Sequence, residues 1–83
     1  MTFATSPVRL SELRAGVSAR LHDTHLDTVT RQRLSSLGLT ERCELRLCKA
    51  GEPYIVQVRS TRIGLSKAVA EQIFVLPQVA DGS

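Results

Sequence analysis

Apolar and polar residues alternate in short runs along this chain, and one segment between the runs switches to a helical period. Val17, Ala19 and Leu21 alternate with Ser18, Arg20 and His22, the mark of a strand with one buried face. The alternation stops at the polar segment Asp23-Thr24-His25-Leu26-Asp27-Thr28. A helix is predicted from Thr28 to Leu37, with Asp27 or Thr28 as its N-cap. Its inward stripe is Leu26, Thr30, Leu34 and Leu37, and Gly38 is its stop. Leu39 then folds back onto the helix. Strict alternation returns from Cys43 to Cys48, with Cys43, Leu45 and Leu47 inward. Gly51 and Pro53 mark a turn. Tyr54, Val56 and Val58 face in from the next strand, which a tight hairpin at Ser60-Thr61 joins to Arg62–Leu65.

The remaining pieces are short. Leu10-Ser11-Glu12-Leu13 reads as one helical turn, capped by Ser11 and closed by Gly16. Ser66 caps a single helical turn from Lys67 to Glu71, with Ala70 inward. Ile73 and Val75 form a last short strand that Pro77 ends. Residues 1–9 are expected as a flexible lead-in, 10–76 as the domain and 77–83 as a flexible tail. A two-sheet sandwich of normal size needs more chain than 83 residues with five short strands supply. The economical architecture is mainly β with short helices: a small SH3-like five-stranded antiparallel barrel, which hides its edges by near-closure. One helix follows the first strand and a short one precedes the last.

Composition narrows the function classes. Eleven cations against eight acids give a net charge of +3, and nine of the cations are Arg. The three aromatics, Phe3, Tyr54 and Phe74, are too few for a proline-peptide groove or a base-stacking platform. No stretch approaches a membrane span, and the N-terminal residues lack the pattern of a signal peptide. These features point to a cytoplasmic protein with no direct membrane insertion. Cys43 and Cys48 are five apart in a strand, which sends them to opposite faces and argues against their pairing. Cys43 reads as a small buried hydrophobe, and Cys48 as an outward or edge residue.

No residue set suggests catalysis. The glycines are isolated, so no phosphate-cradling loop is present, and no nucleophile stands beside an oriented base. The chain reads as a non-enzyme. His22, Asp23, His25 and Asp27 are the densest group of metal-capable side chains. They suit a weakly bound zinc or ferrous ion, and equally a solvated polar loop with Asp27 as helix cap. Arg31 and Arg33 project from the helix off its apolar stripe. They form either a solvated face or, with Arg20 and Arg42, a docking surface for an acidic partner; Arg59 and Arg62 are also available to a partner. Ile55 and Phe74 fall on the outward phase of their strands. Joined, they would make a surface for a partner or for a homodimer; singly, they need no explanation.

In order and spacing the chain resembles the FeoA family, small cytoplasmic proteins of bacterial ferrous iron uptake. The likeness lies in Leu10-Ser11-Glu12-Leu13 with Gly16, Arg33-Leu34 with Leu37-Gly38-Leu39, Gly51-Glu52-Pro53, and Ile63-Gly64-Leu65 with Ala70 and Ile73-x-Val75. It spans residues 10 to 76. Two positions depart from it: Glu41-Arg42 stands where the family usually has Pro-Gly, and Ser66 where it usually has Arg. The resemblance implies an SH3-like barrel without enzymatic activity or required cofactor. It also implies a partner, the FeoB ferrous iron transporter with its cytosolic G-protein domain. The competing reading is an SH3-like module that binds nucleic acid or a separate regulator. The Arg bias supports that reading, and the modest net charge and missing stacking aromatics oppose it.

Overall fold

A computed structural model describes residues 2–79. Among these residues seven antiparallel strands and two helices follow one another: β1 (Thr2–Phe3), β2 (Val8–Arg9), a 3-10 turn (Leu10–Glu12), β3 (Ser18–Thr24), α1 (Thr28–Ser36), β4 (Glu44–Lys49), β5 (Tyr54–Val58), β6 (Thr61–Leu65), α2 (Lys67–Ala70) and β7 (Ile73–Val79). The ladder runs β1-β7-β3-β4-β5-β6, and β2 also pairs with β7. The five principal strands, β3 to β7, and both helices stand where the hydrophobic pattern puts them. Alternate residues of these strands meet in one core with Leu47, Val56, Ile73 and Val75 at its centre. Beyond β6 the ladder does not continue among the described residues, and on that side α2 packs against the 3-10 turn. No helix among the described residues is long and apolar enough to cross a membrane.

The structure corrects several boundaries. Within the stretch expected as a lead-in, Thr2 and Phe3 pair with Val79 and Gln78, and Val8 and Arg9 pair with Val75 and Phe74. Two-residue strands have no readable period and exist only through their partner. The 3-10 turn is not capped by Ser11. Instead the Glu12 carboxylate accepts from the Arg9 N–H at 3.0 Å. The last strand does not end at Pro77 but continues to Val79. The Pro77 carbonyl accepts from Ala4 N–H at 2.7 Å. In an antiparallel ladder a residue's N–H and C=O point the same way, so the missing N–H faces the β1 side. The ladder to β3 therefore loses no bond at Pro77. Residues 80–83 of the expected tail lie outside the described residues.

The first principal strand also runs past its expected end at His22. Leu21 pairs with Val75 and Asp23 with Phe74, so two steps on β3 match one on β7. The extra residue is His22, a β-bulge. The polar break in the alternation is this bulge, and the strand resumes to Thr24. The hairpin between β5 and β6 turns at Arg59-Ser60, one residue earlier than expected, with Val58 paired to Thr61 and Arg59 at φ 57°.

The core differs from the expected stripe at few positions. Leu10 is buried although it belongs to no periodic segment, while Leu26 is buried as the helical stripe expects. Leu37, expected inside, is 48% exposed, while Leu39 is 4% exposed. The helix end explains the exchange. Gly38, at φ 111°, donates its N–H to Ser35 O, and Leu39 donates to Leu34 O, both at 3.0 Å. This pair of reversed bonds is a Schellman stop, whose apolar contact joins Leu34 to Leu39. Val17 and Cys43 are half-buried against the core.

Candidate functional site

The His22 bulge and the loop after β3 place the candidate metal residues. His22, Asp23 and His25 line one shallow pocket of 200 Å³ with Pro7 and Phe74. His25 Nε2 lies 3.8 Å from Asp23 Oδ2, and the imidazole tilts against the Phe74 ring at a centroid distance of 4.7 Å. Asp27 does not join them. Its carboxylate caps α1, accepting from the Thr30 hydroxyl at 2.6 Å and the Thr30 N–H at 3.2 Å. Among the described residues no three His, Cys, Asp or Glu side chains are arranged to hold a metal ion. Two imidazoles and one carboxylate from a single strand and loop also fall short of the four-ligand set of a structural zinc site.

The cap has a consequence for pH. The Thr30 hydroxyl, with the Thr30 N–H second, holds the Asp27 carboxyl below its ordinary value. A depressed folded-state pKa contributes stability that is complete above the unfolded value of about 3.9 and is lost as pH falls through the folded value. An NMR titration of the Asp27 carboxyl is expected to show a midpoint below about 3.9, unmoved by added zinc. A midpoint at the ordinary value, or one that zinc shifts, would return Asp27 to the list of free ligands.

The partner residues divide between two regions. Arg31 and Arg33 are exposed on α1, and the Arg31 guanidinium donates to Leu26 O at 3.1 Å. That bond ties Arg31 to the start of its own helix. Arg59 and Arg62 are exposed on the β5–β6 hairpin. Ile55 and Phe74 are both half-buried, on β5 and β7, with β3 and β4 between those strands in the sheet. They do not form a joined patch, and the His25 ring rests on Phe74. At the β1 edge, the Arg20 guanidinium sits 4.4 Å from the centre of the Phe3 ring, a cation–π contact.

Sequence reasoning missed one feature. A groove of 410 Å³ opens between the C-terminal end of α1 and the β5–β6 hairpin, with Leu37, Gly38, Cys43, Val58 and Arg59 on its walls. Burial pushes the Cys43 thiol up, so it stays protonated and weakly nucleophilic near neutral pH. Cys48 is also free and half-buried. No local pattern signals the groove, because its walls come from separate segments of the chain.

Comparison with known proteins places this geometry. The FeoA domain family matches residues 8–77, most of the chain. The chain belongs to the FeoA family. Members of the FeoA family are non-enzymatic accessory proteins associated with ferrous iron transport. The FeoA protein from Chlorobium tepidum, solved in solution, is 28% identical, with 92% of this chain and 74% of that one covered and a TM-score of 0.82. A crystal structure of the iron uptake regulatory protein FeoA is 26% identical, with 87% and 97% covered and a TM-score of 0.77. A manganese-dependent transcriptional repressor shares the fold at 18% identity and a TM-score of 0.78, through 42% of its own length. No curated protein matches the chain in sequence.

Proposed function

We propose that this FeoA-family chain is a cytoplasmic accessory protein that binds the FeoB-type ferrous iron transporter at its cytosolic G-protein domain. The family match over residues 8–77 carries this reading. The fold supports it: a small domain with a packed core offers surface rather than an enclosed cleft, and its exposed arginines suit an acidic partner surface. Ferrous iron is the transporter's cargo in this reading. The His22, Asp23 and His25 pocket contributes at most a weak cation contact. An arginine finger is the bolder version of the role, and the Arg31 bond to Leu26 O disfavours Arg31 for it.

The test is binding to the transporter's purified G-protein domain and to the whole transporter in detergent, with GTP turnover measured alongside. Saturable binding to either is expected. Arg31→Ala is expected to leave GTP turnover within about twofold, against the 10³-fold or greater loss that removal of a finger causes. Absence of binding to both preparations would rule out the role.

A further inference from the structure

We propose that the groove between the C-terminal end of α1 and the β5–β6 hairpin receives an acidic segment of a protein partner, with one apolar side chain of that segment seated beside Leu37. The proposal rests on the docking role above and adds where it occurs and by what chemistry.

The apolar part follows from the helix stop. The Schellman turn spends Leu39 on the core and leaves Leu37 at the groove, 48% exposed. Val29, Arg33 and Leu37 are spaced by four, which aligns them on one face of α1. That face leads into the groove, whose walls Leu37 shares with Val58 and Cys43. At 410 Å³ the groove falls within the range of sites that hold a ligand, and a single aliphatic or aromatic side chain fits it.

The acidic part follows from charge. Arg59 lines the groove itself, Arg33 lies on the α1 face that leads into it, and no lining residue is a carboxylate, although Glu41 stands in the loop between the lining residues Thr40 and Cys43. Among the described residues no Arg forms an ion pair with an Asp or Glu. Arg33 and Arg59 are thus charges at the groove without an ion-pair partner among the described residues. The C-terminal end of α1 carries the negative end of its dipole. Acidic groups therefore belong over Arg33 and Arg59, and the apolar anchor belongs at the helix end beside Leu37. A nucleic acid fits less well: Phe3 and Phe74 lie on β1 and β7, Tyr54 is buried, and the groove walls include no aromatic on which a base could stack.

Two experiments test it separately from the docking role. In the first, Leu37→Asp and Arg59→Glu are expected to weaken binding to the transporter's G-protein domain by about tenfold or more, and Arg9→Glu on β2 to leave it unchanged. A preserved NMR spectrum confirms that each variant folds. Parent binding with undiminished binding by both groove variants would overturn the groove and leave the docking role standing. The second needs no transporter. A synthetic peptide with one Leu among Asp and Glu residues is titrated into the isotope-labelled chain. Shifts confined to the amides of Leu37, Gly38 and Arg59–Thr61 are expected. Shifts elsewhere, no shifts, or equal shifts from a Lys-rich peptide with the same Leu or from a DNA duplex would overturn the proposal.

Discussion

Leu10→Ala is expected to lower the unfolding free energy by about 3 kcal/mol, within the range of about 2–5 for a buried Leu cut to Ala. For a domain of this size that corresponds to a melting point lower by roughly 12–24 °C. Leu10 is 0% exposed although it sits in a 3-10 turn ahead of the first principal strand. The turn packs against β7 and α2, across the side where the strand ladder does not continue. It is fixed at both ends: Leu13 N–H donates to Leu10 O at 3.1 Å, and Glu12 holds Arg9 N–H. Tyr54 adds a long hydroxyl contact to Ser11 O at 3.5 Å. A turn so held cannot collapse into the space left by the lost side chain, so the cavity term adds to the transfer term. Leu37→Ala is the matched control and is expected to change stability by less than about 0.5 kcal/mol. Thermal melts of the two variants check the contrast. Equal effects would mean that the 3-10 turn is not part of the core.

Gly38→Ala is expected to cost about 1–2 kcal/mol, the price of a left-handed conformation for a residue with a Cβ. Space is not the obstacle, because a Cβ there would meet Val58 Cγ1 at 3.7 Å, an ordinary contact. The backbone is, because φ of 111° lies beyond the left-handed well that non-glycine residues tolerate. Relieving the strain unwinds the Schellman turn and releases Leu39 from the core. Position 42 gives the opposite sign. Arg42 holds φ at 61°, where relatives usually carry Gly, so Arg42→Gly is expected to be neutral or stabilising by up to about 1 kcal/mol. Denaturant unfolding of both variants measures the pair. A Gly38→Ala protein as stable as the parent would mean that the helix ends by another turn.

The candidate site was only partly legible. The helix after β3 and the hairpin arginines were visible as sequence, because charge and capping act locally. The groove was not, because it exists only where the end of α1 meets the turn between β5 and β6, and no local pattern records that meeting. The metal-capable cluster shows the reverse. Four residues close in sequence suggested one site, and the cap on Asp27 separates it from the other three.

The fold divides along the same line. The alternation of Val17–Leu21, Cys43–Cys48 and Tyr54–Val58, and the Asp27 to Gly38 span of the helix, fixed the principal elements, because burying one face imposes a period that the chain itself must carry. The bulge at His22, the passage of β7 through Pro77, the two-residue strands β1 and β2, and the exchange of Leu37 for Leu39 were settled only by the tertiary structure. Each depends on which side of a neighbouring strand or helix is already occupied. The alternating pattern determined what would be buried, and packing decided which apolar side chain was left outside for a partner to meet.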